Sequence, residues 1–174
     1  MVGVVRKIVV MGVSGCGKTL IGKALADRLG FAFVEGDDHH SDRNKEKMGR
    51  GIPLDDDDRQ GWLLRLRELI GESGGPMVLS CSALKRSYRS LLASGEHDLT
   101  FVHLHGSREL IEERIRSREG HFFDPDLLAS QFDTLEILEP QENGFEVKVD
   151  QTEQFILAEI CSRLDDREKQ PFPL

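Results

Sequence analysis

At 174 residues the chain is long enough for one domain with its own hydrophobic core, and a single unit over 1–174 is the expectation. Hydrophobic residues make up 39% and charged residues 31%, the ordinary balance of a soluble globular protein. Lys and Arg total 23 against 31 Asp and Glu; the net charge of −8 argues against nucleic-acid and membrane-surface partners, which favour excess positive charge.

Residues 6–11 form a β-branched apolar run and read as a buried strand. The basic residues Arg6 and Lys7 precede too short an apolar run for a secretory signal, and no stretch approaches a membrane span. Cys16, Cys81 and Cys161 are an odd number at wide spacing, which is no disulfide framework and suits a reducing, cytoplasmic location.

Directly after this strand comes GVSGCGKT: Gly12, Val13, Ser14, Gly15, Cys16, Gly17, Lys18 and Thr19. It matches G-x-x-x-x-G-K-[ST], and Leu20, Ile21, Ala24, Leu25 and Leu29 then give one apolar helix face ending at Gly30. Glycines let backbone N–H groups turn inward onto phosphate oxygens, and the helix N-terminus adds partial positive charge. Lys18 is expected on the β- and γ-phosphates of ATP and Thr19 on Mg²⁺. A glycine-rich turn with a chance lysine is the competing account; it leaves the strand before and the helix after unexplained.

A GTPase needs N-K-x-D after a later strand; the Asn44-Lys45 pair falls too early and lacks the Asp. A transport or motor ATPase usually has a longer chain and an apolar strand ending in Asp, whereas MVLSCS ends in no carboxylate. A small single-domain kinase remains, with an acceptor pocket, a positioning carboxylate and an arginine-bearing lid.

Phe31–Glu35 is expected as a second strand, and Asp37 to Leu54 shows no clean period. Asp37, just past that strand, can orient an acceptor hydroxyl and hold a metal-bound water. For Asp37 or Asp38 the alternative is a helix cap. His39 and His40 point apart on any regular element, so a metal pair is a weak reading and His40 is better taken as a substrate contact. Arg43, Lys45, Lys47 and Arg50 form a basic cluster, either a solvated face or a sign of an anionic acceptor. Asp55–Asp58 lacks the spaced ligands of a Ca²⁺ loop and reads as the acidic first turn of a helix carrying Trp62, Leu66 and Leu69.

Met77–Cys81 is the third strand, with Ser82 as cap of a helix carrying Leu84, Tyr88, Leu91 and Leu92. Lys85 and Arg89, four apart on that helix, can grip a carboxylate or phosphate; a plain surface helix is the competing account. Leu99–Leu104 is the fourth strand; His103 and His105 share one of its faces without a third metal ligand, and read as packing or surface residues. Ser107 opens a helix through about Arg118, on which Arg114 and Arg118 share a face; arginines on a mobile lid, about 114–126, can neutralise the transferring phosphoryl charge. Asp124-Pro125 starts a further helix, Phe145–Val149 is the fifth strand, and Thr152–Leu164 a closing helix before a tail, 165–174, expected to fray. Strands alternating with helices predict parallel βαβ units, helices on both faces, and a ligand edge at the carboxyl ends of the strands.

Four stretches now carry a resemblance: GVSGCGKT, GDDHHSDRNKEKMGRGIPLDDDDRQGWL, SCSALKRSYRSLL and GHFFDPDLLASQFDTLEILEP. From about residue 7 to 164 the sequence resembles the gluconokinases, small P-loop kinases related to shikimate kinase. The resemblance implies a P-loop NTPase of α/β class, a three-layer nucleoside-monophosphate-kinase-like fold with a five-stranded parallel sheet and a lid. It implies ATP- and Mg²⁺-dependent phosphorylation of D-gluconate at the 6-hydroxyl, and a homodimer. Asp37 and His40 match the family's acceptor-side D-x-x-H, Lys85 and Arg89 its basic pair, and Arg114, Arg118 and His121 its lid. Lys18, Asp37 and Arg118 are the expected catalytic residues, and Thr19 with Asp37 the expected metal site. The chain departs from the pattern at Cys16, at Gly61, where Pro is common, and at Glu119, where a basic residue is common. Shikimate kinases carry a Gly-Gly-Gly turn where this chain has Ser80-Cys81-Ser82, which counts against shikimate as acceptor. Adenylylsulfate and nucleoside monophosphates are the other acceptors the fold admits, and a nucleotide-binding module without turnover is the rival outside enzymes.

Overall fold

A computed structural model describes residues 6–95, 98–118 and 124–169. Five strands, β1 (Lys7–Met11), β2 (Ala32–Glu35), β3 (Met77–Ser80), β4 (Leu99–His105) and β5 (Gly144–Lys148), make one sheet in the order β2-β3-β1-β4-β5. Every neighbouring pair is parallel, so each strand returns through a crossover. The crossovers carry α1 (Lys18–Leu29), α2 (Asp42–Gly49), α3 (Asp56–Glu72), α4 (Arg86–Ala93), α5 (Arg108–Arg116) and α6 (Pro125–Thr134), and α7 (Glu153–Lys169) follows β5.

The sheet is buried on both sides, so β1 and β3 read as continuous apolar runs rather than alternating ones. Ile8, Val10, Val78, Val102 and Leu104 face Leu25 of α1, Ile111 of α5 and Ile160 of α7. Val9, Met11, Leu79 and Phe101 face Trp62, Leu66 and Ile70 of α3 and Leu92 of α4. Each such aliphatic side chain stabilises the fold by about 1.5–3 kcal/mol relative to exposure. The result is three layers, helices on either side of one sheet, as the alternation of elements predicts. Among the described residues no helix is long and apolar enough to cross a membrane.

Three local departures matter for the site. The segment 37–54 contains α2, capped by the Ser41 hydroxyl, which accepts from the Asn44 N–H at 3.2 Å. Its sequence, DRNKEKMG, has no apolar stripe to announce it. Next, Ser82 is not a helix cap: Ala83 takes a left-handed φ of 44°, and the helix begins three residues later with Lys85 as its N-cap. Lastly, α7 continues to Lys169, beyond the Leu164 end expected from sequence. By contrast Asp55 caps α3 through a full capping box with Asp58, which accounts for the acidic run at 55–58.

Candidate active site

Between β1 and α1 the loop Gly12–Thr19 turns on glycines. Gly12 has a φ of 142°, and a Cβ there would lie 2.5 Å from the Leu104 carbonyl oxygen, so no other residue fits without moving β4. Gly15 has a φ of 82° and lies against Ile115 of α5. Cys16 points into the core; burial pushes its thiol up and makes it a packing residue, as the substitution at this loop position requires. Lys18 Nζ donates to the Val13 carbonyl at 3.0 Å, folded back over the loop it serves.

The Thr19 hydroxyl donates to Glu35 Oε2 at 2.5 Å. Glu35 ends β2, and its register partner on β3, Ser80, carries a buried hydroxyl without a partner among the described residues. Sequence reasoning named Thr19 and Asp37 for the metal; the geometry adds Glu35 as the carboxylate nearest the threonine. Hydroxyl and carboxylate oxygens beside a phosphate loop suit Mg²⁺, which keeps most of its shell as water and phosphate. Among the described residues no cluster of three His, Cys, Asp or Glu forms a dedicated metal cage.

One cavity opens at the carboxyl ends of β1, β2 and β3. Ser14 and Lys18 line it from the loop, Asp37 and His40 from the turn after β2. Arg59 and Trp62 of α3, Ser82 after β3, and Leu127, Ser130 and Gln131 of α6 complete most of the wall. Segments far apart in sequence therefore meet there. Asp37 has an exposed side chain (67%), and its backbone N–H reaches Glu35 Oε1 at 3.4 Å.

His40 is buried and stacked on Trp62, ring centroids 4.1 Å apart at 16°. Trp62 in turn donates Nε1–H to the Gly36 carbonyl at 2.8 Å, pinning the turn to α3. Asn44 Nδ2 donates to the Asp58 carbonyl at 2.7 Å, so its nitrogen faces inward, 3.4 Å from His40 Nδ1. An amide nitrogen only donates, so Nδ1 accepts and the imidazole proton sits on Nε2, 3.9 Å from Asp37 Oδ1. Burial, with Arg59 and Lys45 nearby, pulls the imidazole down to about 4, so it is neutral near pH 7.

Arg59 escaped sequence reasoning. It is 8% exposed, donates to the Leu54 carbonyl at 2.5 Å and lies against the Tyr88 ring. The only signal for it was its position in the DDDDR run, where it was indistinguishable from the arginines on the solvent side of α3.

The Lys85–Arg89 pair is not aligned on one helix as its spacing predicts. Lys85 is outside the helix that was to align it with Arg89, and its Nζ grips Asp56 at 2.8 and 3.0 Å. Arg89 is 1% exposed and forks onto Glu142 at 2.6 and 2.9 Å. Its remaining donors reach the carbonyls of Ala83, Leu84, Glu136 and Ile137. Burial works to raise the Glu142 carboxyl, but the Arg89 guanidinium outweighs it and holds the group below its usual range. Neither Lys85 nor Arg89 lines the cavity; Arg89 clamps the segment after α6 onto α4.

Arg43 is exposed on α2 and does not line the cavity. The basic cluster around it is paired: Lys47 bonds Asp58, Arg50 lies 3.8 Å from Glu46, and Lys45 donates to the Asp38 carbonyl. Arg114 donates to the Val149 carbonyl, and Arg118 is exposed past the end of α5; neither lines the cavity. His121 and Glu119 lie outside the described residues. His103 and His105 share a face as expected, 5.7 Å apart, with His103 against Glu146. Gly61 is an open surface position on α3, where the missing proline leaves no gap.

Comparison with known proteins sharpens this geometry. The shikimate kinase family model matches residues 14–164. A probable gluconokinase from Xenopus tropicalis is 44% identical over 176 residues, covering 91% of this chain and 93% of that protein. Among solved structures, an unliganded sugar kinase from Janibacter sp. HTCC2649 superposes with a TM-score of 0.88 at 44% identity, covering 92% of this chain and 95% of that one. A gluconokinase from Sinorhizobium meliloti 1021 gives 0.84 at 43% identity, covering 94% and 98%.

Proposed function

Because the chain belongs to the gluconokinase family, we propose that its cavity carries the terminal phosphoryl group of ATP to D-gluconate. The enzyme is a phosphotransferase with an alcohol acceptor, and the product is 6-phospho-D-gluconate, with the 6-hydroxyl as the attacking group. One observation carries this reading: Lys18, Asp37 and Arg59 face the same cavity, so phosphate grip, carboxylate and second cation converge.

The roles follow from the chemistry of each group. Backbone N–H groups of Gly15 and Gly17 and the α1 N-terminus cradle the triphosphate, and Lys18 swings from Val13 onto its β- and γ-oxygens. Thr19 and Glu35, with Asp37 through a water, would hold Mg²⁺, which would neutralise charge on the phosphates. Asp37, solvent-facing at the cavity wall, orients the hydroxyl and stands where its proton is released. Arg59 takes the gluconate carboxylate, the role expected of Lys85 and Arg89, because it is the guanidinium lining the cavity. Neutral His40 offers Nε2–H to a gluconate hydroxyl.

Arg114 and Arg118 on the arm of a lid over about 114–126 belong to the same proposal, as do His121 and Arg43 as peripheral substrate contacts; the family resemblance supports them. So do a single domain, a homodimer and a cytoplasmic location, the last also supported by three free cysteines.

Coupled ADP release over a panel of acceptors tests the reading. ADP is expected with D-gluconate and not with shikimate, adenylylsulfate, AMP or no acceptor. Turnover with another acceptor, or ATP binding with no acceptor-dependent ADP, would reject it.

A further inference from the structure

We propose that Gln131 is a further catalytic residue, whose side-chain amide nitrogen donates a hydrogen bond to the phosphoryl group during transfer. The proposal rests on the kinase reading above. Gln131 sits on α6, one turn beyond Leu127 and Leu128, whose buried side chains fix that helix face against the core. Its Oε1 accepts from the Ser14 backbone N–H at 2.7 Å, across 117 residues of chain. A backbone N–H can only donate, so the amide oxygen is the atom on the phosphate loop and the nitrogen is left as a donor. Gln131 lines the same cavity as Lys18 and Asp37, and no described residue accepts from its Nε2.

An amide held by its own oxygen is a donor already oriented before substrate arrives. Donors fixed in place where charge develops stabilise a transition state without having to reorganise. The phosphate loop and Asp37 bracket the point where donor and acceptor meet, and Gln131 is tied to the loop at Ser14. In the transfer, the acceptor hydroxyl oxygen bonds to the γ-phosphorus and the bond from that phosphorus to the β-phosphate oxygen breaks. ADP leaves with the electron pair, and the hydroxyl proton is released toward Asp37. Gln131 makes and breaks no covalent bond; its Nε2–H interacts with a phosphoryl oxygen throughout.

The rival account makes Gln131 a strut that only shapes the loop through Oε1. Two variants of the full chain separate them. Gln131→Glu keeps length and an oxygen for the Ser14 N–H but replaces the donor by a carboxylate. Gln131→Met keeps length and removes both. An ATP-dependent rise in melting temperature shows that each variant is folded and binds nucleotide. The expected result is a kcat loss on the order of 100-fold in both, larger for Gln131→Glu, with KM for gluconate little changed. Wild-type kcat in Gln131→Glu, with or without a loss in Gln131→Met, overturns the donor role. Wild-type kcat in Gln131→Met alone overturns it too. A wild-type chain that forms no ADP with gluconate overturns the kinase reading itself, which the same assay reports separately.

Discussion

The two walls of the cavity are built in opposite ways. The phosphate wall, Gly12 to Thr19, is backbone: its chemistry lies in N–H groups, and local glycine spacing suffices to aim them. The acceptor wall is side chains: His40 comes from the turn after β2 and Arg59 and Trp62 from α3, and they are held by bonds to Asn44, Leu54, Tyr88 and Gly36, the last two across 29 and 26 residues. A backbone site is expected to tolerate side-chain change such as Cys16, while a side-chain site is not. Substitutions on the acceptor wall should therefore separate sharply into those that damage chemistry, those that damage gluconate binding and those that damage only the fold.

The largest effect is expected where the walls meet. Asp37 lines the cavity together with Lys18, and no Lys or Arg among the described residues pairs with it. Asp37→Asn keeps its shape and removes the carboxylate. It should lower kcat by about 10²–10⁴-fold while KM for ATP changes little, read by steady-state kinetics with ATP and gluconate varied in turn. Turnover at the wild-type rate would reject the role and leave the phosphate wall to act alone.

A pair of arginines gives the next contrast. Arg89 and Arg59 are both buried, yet only Arg59 lines the cavity. Arg89→Met leaves the half-buried Glu142 without its cation, and should cost about 3–5 kcal/mol of stability in urea unfolding, with kcat per folded molecule preserved. Arg59→Met should do the reverse: KM for gluconate rises by the equivalent of about 1.5–3 kcal/mol, and KM for ATP holds. If the gluconate effect followed Arg89 instead, the assignment of the carboxylate to Arg59 would fail.

The same contrast explains what was legible in the sequence. The strands, the parallel sheet and the phosphate loop announce themselves through local patterns, an apolar run or glycines at fixed spacing. Lys85 and Arg89 show where such a pattern stops. Their spacing of four has meaning only within a helix, and the left-handed Ala83 delays the helix until Arg86. Nothing local distinguishes Arg89, bound to Glu142 across 53 residues, from an arginine facing substrate. The helix α2 was hidden for a different reason. It buries Asn44 and pairs Lys47 with Asp58 instead of presenting an apolar face, so hydrophobic periodicity has nothing to report. Glu35 and Gln131 gained their candidate roles only once β2 and α6 were placed beside the loop.

The last test probes the acceptor wall at its histidine. His40 holds its proton less well in the fold, at about 4, than in the unfolded chain, at about 6.5. Between those values the unfolded state carries more protons. Stability from this group is therefore complete above about pH 6.5 and is lost as pH falls toward about 4, at a slope of at most about 1.4 kcal/mol per pH unit. Below about pH 4 both states are protonated and the loss stops. Urea midpoints of wild type and His40→Gln, followed from about pH 8 to about pH 4, should approach each other over that window, since the variant lacks the titration. Over the neutral range KM for gluconate should be flat with respect to this group, because an uncharged Nε2–H donates equally well throughout. If His40 instead met gluconate as a cation, KM would climb as the imidazole lost its proton, and the two midpoint curves would run parallel. Either outcome would mean that stacking on Trp62 and burial beside Arg59 do not hold the ring neutral, and that the acceptor wall works by charge rather than by fixed, uncharged donors.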